Sequence, residues 1–205
     1  METADSLFAE PADTREAIMQ ATFRALCEHG YAGLTISRIA QYFPKSKSLL
    51  YHHYESKEEL LLDFLAFMLE RYQEAVPKAE TDSPEERLAA VLDASLSRKA
   101  DGPDLEFLRA MTELRAQAAH DERFREHFRT HDRVFRETLV DIVEDGIESG
   151  VFREVDAEQV AAFVFAGLAG GMTQLATAES GPERDVLAEL RWYVDHRLLA
   201  EDAGE

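Results

Sequence analysis

Three of the chain's five lysines, Lys45, Lys47 and Lys57, fall inside 13 residues. The window 35–57 reads TISRIAQYFPKSKSLLYHHYESK, with Arg38 and those three lysines set against the single acid Glu55. The chain as a whole has a formal net charge of −19. A cationic island kept on so anionic a chain is the chemistry of a polyanion docking site, because ammonium and guanidinium groups neutralise phosphates and displace their counterions. Lys47, Ser48, Tyr51 and His52 add donors, acceptors and an aromatic ring at helical spacing, the types that reach base edges and sugar–phosphate oxygens.

Other side chains suggest rival chemistry. His120, His127 and His131 stand at offsets of 7 and 11, so on one continuous helix they share a face, and His127 with His131 at i, i+4 suits Zn²⁺ or Ni²⁺. No HExxH or paired Glu-x-x-His motif supports a metalloenzyme, and no G-x-S-x-G motif supplies a nucleophile. The smooth patch Ala166, Gly167, Ala169, Gly170 and Gly171 is no phosphate loop, since no strand precedes it and no Lys-Ser/Thr follows. No catalytic residue, cofactor or metal site is assigned. The expectation is a binding protein, not an enzyme.

The elements that must position the island are short. Asp13 or Thr14 caps a helix that runs to Glu28 and stops at His29-Gly30. Thr35 caps a second, with Ile36, Ile39, Ala40 and Phe43 at i, i+3, i+4, i+7 and Pro44 ending it. Ser46 is placed to cap a third. At 100° per residue, Lys47, Ser48, Tyr51 and His52 face one way there, and Leu49, Leu50, His53 and Tyr54 the other. Ser56 opens a longer helix rich in Leu and Phe, broken at Pro77. Further helices are expected from Pro84 to about Arg98, Asp104 to Ala119, Asp121 to Ser149, Asp156 to about Thr177, and from Pro182 onward. Between the first two of these lies the turn Ala100-Asp101-Gly102-Pro103, and Val151-Phe152 should pack back onto the core. The fold class is all-α, about nine helices.

Composition agrees. Ala, Leu, Glu and Arg dominate, and the single Cys27 excludes a disulfide framework. No stretch approaches the roughly 20 apolar residues of a membrane span, and the acidic first 13 residues are unlike a signal peptide, so a cytoplasmic protein with no membrane partner is expected. Lysine scarcity with acids on nearly every helix points to a halophilic protein, whose carboxylates hold hydration in concentrated salt.

Thr35, Ile39-Ala40, Ser46-Lys47, Leu50-Tyr51, Tyr54 and Ser56-Lys57 resemble the TetR family of transcriptional regulators, over about residues 14–65. Residues 1–13 read as a disordered tail, and the resemblance implies a helix-turn-helix DNA-binding domain over 14–57 and an effector-binding and dimerisation domain over 58–205. It implies a homodimeric repressor that binds a double-stranded operator and is released by a small-molecule effector. Base or backbone contacts would come from Ser37, Lys47, Ser48, Leu49, Tyr51 and His52. Phosphate contacts would come from Thr35, Tyr51, His53 and Lys57, with the helix start at Ser46 offering N–H groups. Phe64, Phe67, Met68, Leu108, Met111 and Phe128 supply apolar material for an effector pocket, with Arg109 or Arg115 a partner for an anionic group. The last two helices, assigned to dimerisation, carry Phe163, Gly167, Gly170 and Gly171, then Leu187, Leu190 and Val194. Where the family usually has glycine this chain has Pro44, so its turn must avoid positive φ. The alternative is a metal- or small-molecule-binding helical protein without DNA contact.

Overall fold

The computed structural model describes residues 11–75, 83–96, 103–178 and 183–200. The expected tail up to residue 10, the Pro77 break, the turn residues Ala100-Asp101-Gly102 and the Pro182 helix start lie outside them. Among the described residues the helices are α1 (Thr14–Gly33), α2 (Ile36–Tyr42), α3 (Lys47–His53), α4 (Lys57–Ala75), α5 (Pro84–Leu96), α6 (Pro103–Gln117), α7 (Glu122–Glu148), α8 (Ala157–Thr177) and α9 (Glu183–Tyr193). A π-helical turn, Val194–Leu198, continues the last of these.

Helix starts follow local side-chain chemistry. Asp13 accepts from the Glu16 N–H at 2.9 Å, Thr35 from Arg38 at 3.2 Å, and Asp156 from Gln159 at 3.0 Å. Ser83 and Glu86 form a reciprocal capping box at 3.2 and 3.0 Å. The first helix is broken at Gly30 (φ 61°, ψ 174°), where the sequence places its stop, a conformation that glycine adopts without a Cβ penalty; a further short helical stretch then runs to Gly33.

The described chain forms two compact units. One is built from α1–α4, α6 and the start of α7; the other from α5, the rest of α7, α8 and α9. In the first unit α1 packs chiefly on α6 and α2. Ile18, Leu26, Ile39, Leu50, Leu60, Phe64 and Phe124 form its fully buried centre. In the second, Val164, Leu168, Leu139 and Leu198 are buried, and Phe152 bridges Leu199 in antiparallel fashion. Phe152 is therefore in the core, as its position after Gly150 suggests. By length and composition α8 is apolar enough to cross a membrane, contrary to the sequence expectation, yet Val160, Val164, Leu168 and Leu175 are buried inside its own unit.

A charged node ties α1 to α4. Arg15 meets Asp63 at 2.7 Å and Glu70 at 2.9 Å, and the Tyr54 hydroxyl also donates to Asp63. Burial pushes the Asp63 carboxyl up, but the hydrogen bonds from Arg15 and Tyr54 outweigh it and leave it below the usual range. The Tyr54 hydroxyl is raised, by burial first and by Asp63 second. Depressed acid and raised phenol have opposite signs. The Asp63 contribution is complete above the ordinary Asp value and fades as pH falls through the lowered one; the Tyr54 contribution is complete below about 10 and fades as pH rises. Asp63→Asn should remove about 1 kcal/mol, after allowance for solvent screening, and flatten the acid limb of a melting-temperature profile against pH. An acid limb identical to wild type would contradict this.

Candidate nucleic-acid interface

The second and third helices are held by few, well-placed apolar groups. Ile36 and Ile39 are buried under α2, and Leu50 and Tyr54 anchor α3. Between them the chain passes through extended Phe43 (φ −86°, ψ 126°) and a bend at Pro44-Lys45. Among the described residues only Gly30 and Gly150 have positive φ. The turn thus does without a left-handed residue, as proline requires.

With Leu50 down, Lys47, Ser48, Tyr51 and His52 point outward, and the Tyr51 ring is 52% exposed. Leu49 is half-buried. His53, which the helical wheel places inside, is exposed: it ends α3 and extended Tyr54 follows (φ −135°, ψ 125°), so the wheel no longer governs it. Thr35 and Ser37 are exposed on α2, and Ser46 holds the cap position of α3 without a side-chain bond to it.

The cations have neutral oxygen partners. Lys47 Nζ donates to Ser37 Oγ at 2.7 Å and sits 5.4 Å from the Tyr51 ring centroid, bridging α2 and α3. Lys45 Nζ donates to Thr14 Oγ1 at 2.6 Å, and Arg38 donates to the Gly33 carbonyl. Lys57 Nζ donates to the Tyr31 carbonyl at 3.2 Å and lies over the Tyr31 ring at 4.1 Å, with Glu58 4.0 Å away. Hydroxyls and carbonyls orient an ammonium without cancelling its charge. The island is both ordered and positive, which lowers the side-chain entropy lost on docking. Arg38, Lys45 and Tyr31 are additions to the predicted set; the first two belong to the basic window, whereas nothing near Tyr31 in sequence marks it.

The remaining predicted residues separate. Phe64, Phe67 and Phe128 join one apolar cluster in the first unit, Met68 and Met111 pack against it, and Leu108 is buried outside it. The Arg115 guanidinium lies 4.5 Å from the Phe128 ring centroid. In the second unit Leu187, Leu190 and Val194 are buried within their own chain. Gly167 gives room to Leu190 and Gly171 to Leu96, so the close approach expected of these glycines is met by α9 and α5 of the same chain. Gly170 and Phe163 are exposed. His120 lies in the turn before α7, off the helix of His127 and His131. Among the described residues no group of three or more His, Cys, Asp or Glu is placed to hold a metal.

Residues 18–64 match the family of bacterial regulatory proteins of the tetR type, and residues 84–199 match the C-terminal region of BetI-type transcriptional repressors. A TetR transcription regulator from Haloarcula marismortui superposes with a TM-score of 0.82 at 38% identity, over 91% of this chain and 99% of that one. A regulator from Saccharomonospora viridis in complex with choline has a TM-score of 0.78 over 91% of this chain and 98% of that one; at 20% identity it shares the fold. The repressor AcnR of Corynebacterium efficiens is 33% identical over 116 residues, 57% of this chain and 56% of the relative's length. With helix-turn-helix geometry, an exposed basic face on α3 and both family regions in place, the chain belongs to the TetR family of transcriptional regulators, DNA-binding proteins and not enzymes.

Proposed function

We propose that this protein is a cytoplasmic repressor that binds a near-palindromic operator as a homodimer and is released by a small-molecule effector. The observation that carries the reading is the split of α3: Leu50 is fully buried, while Lys47, Ser48, Tyr51 and His52 stand exposed on a chain that keeps three of its five lysines within residues 45–57. Such a helix lies in a major groove, with Thr35, His53 and Lys57 on flanking phosphates. The 14–57 helix-turn-helix segment is the DNA-reading part, and 58–205 the effector and dimerisation part.

A second copy is the occupant that suits α8. Ala162, Phe163, Ala166, Gly170 and Thr173 recur at offsets of three and four as an exposed strip, and Trp192 on α9 is 53% exposed. Gly170 has open space where a Cβ would be, which lets a partner helix approach closely. For the effector, the Phe64, Phe67 and Phe128 cluster with Arg115 beside it suits a ligand with an apolar body; its entry would displace α4 and with it the seat of α3. The distributed acids support work at high salt, where phosphate contacts are weak and groove contacts must supply more of the affinity.

Footprinting of the region upstream of its own gene, in low and in molar salt, tests the reading. Protection of a paired half-site against bulk genomic competitor is expected; no preference at either salt would overturn it. Lys57→Ala should weaken binding to every sequence by a similar factor and lower the salt slope by about one per protomer.

A further inference from the structure

We infer that Tyr31 is a positioning residue that aims the Lys57 ammonium, and that Glu113 on α6 sets Tyr31; this rests on the DNA-binding reading above. Gly30, at φ 61°, throws the α1 path off its axis just before Tyr31. The freed Tyr31 N–H donates to the Glu113 carboxylate, 82 residues away in sequence. That carboxylate fills the space a Gly30 side chain would take, its two oxygens 3.0 and 3.2 Å from the Cβ position. On its other side, Tyr31 offers Lys57 both a carbonyl at 3.2 Å and a ring face at 4.1 Å. One residue is therefore gripped by α6 through its donor and grips the first residue of α4 through its acceptor and its ring.

The surrounding charges leave this chain of contacts intact. Glu58 stands 4.0 Å from Lys57, too far to replace the carbonyl as its hydrogen-bond acceptor. Asp121, whose field reaches Tyr31, is occupied by Arg123 at 2.8 Å. Lys57 keeps only 21% of its side chain exposed, so a small rotation of the Tyr31 peptide moves the ammonium toward or away from a phosphate. A shift of α6 thus reaches the phosphate contact through a single peptide unit, without passing through the recognition helix.

The test uses the full-length protein and a duplex of random sequence at low ionic strength, where phosphate contacts supply the affinity. Glu113→Ala should weaken binding about three- to tenfold and reduce the salt slope in the direction that Lys57→Ala does. In a Lys57→Ala background it should have no further effect, since its influence runs through that ammonium. Additive losses, or wild-type affinity and slope for Glu113→Ala, would overturn the inference and leave the DNA-binding reading standing. Failure of the wild-type protein to bind the duplex would instead remove both. Should Glu113→Ala not fold, Glu113→Asp, which draws the carboxylate back by one methylene, takes its place under the same criteria.

Discussion

Lys47→Ala is expected to lose about 1–3 kcal/mol of operator affinity per half-site and to change base preference at the position it reads. The reasoning is geometric. Lys47 is the cation that opens the exposed face of α3 at its first residue, held by Ser37 at 2.7 Å and close to the Tyr51 ring. It extends from a helix whose opposite side is locked by Leu50, so its reach is defined before DNA arrives. Ser37→Ala should cost less, because it frees the ammonium without removing it. Binding of each variant to the operator, to single-base operator variants and to random duplex separates the effects. Equal losses on operator and random duplex would reduce Lys47 to a phosphate contact.

Gly146→Ala is expected to destabilise the second unit by about 3 kcal/mol and to lower the melting temperature by roughly 10 °C. A Cβ at this position on α7 would enter the ring of Phe152, whose Cγ would stand 2.7 Å away. The ring has little freedom to retreat. Phe152 is 3% exposed and its N–H donates to the Gly146 carbonyl at 2.8 Å, so backbone and side chain are both pinned. Adding Phe152→Ala should remove the clash and make the double variant less damaged than the two single losses predict. A melting temperature for Gly146→Ala within about 2 °C of wild type would show that the turn relaxes and that the contact is not rigid.

Much of the first unit is legible in the sequence because it is written locally. Caps at Asp13 and Thr35, the Ile36-Ile39 spacing and the Pro44 break all act over a few residues. Four of the α3 side chains follow the 100° step; His53 does not, because the helix ends under it and the step needs a helix to continue. The Gly167 and Gly171 patch shows that something must come close, but not whether the visitor is the same chain or another. Contacts between distant segments leave no periodic trace. Glu113 and Tyr31 are 82 residues apart, and Phe152 meets Leu199 only after two intervening helices. The His120, His127 and His131 series fails for a related reason: the α6–α7 turn interrupts the regular spacing that the offsets assume.

Because lysine is so scarce outside the window 45–57, primary amines are concentrated on the face proposed to meet phosphates. Any amine-directed chemistry, whether acylation by a metabolite or reductive methylation at the bench, would find three of the chain's five lysines within these 13 residues. An arginine-rich counterpart would escape such editing. This chain, by keeping lysine there, leaves its grip on nucleic acid open to covalent adjustment.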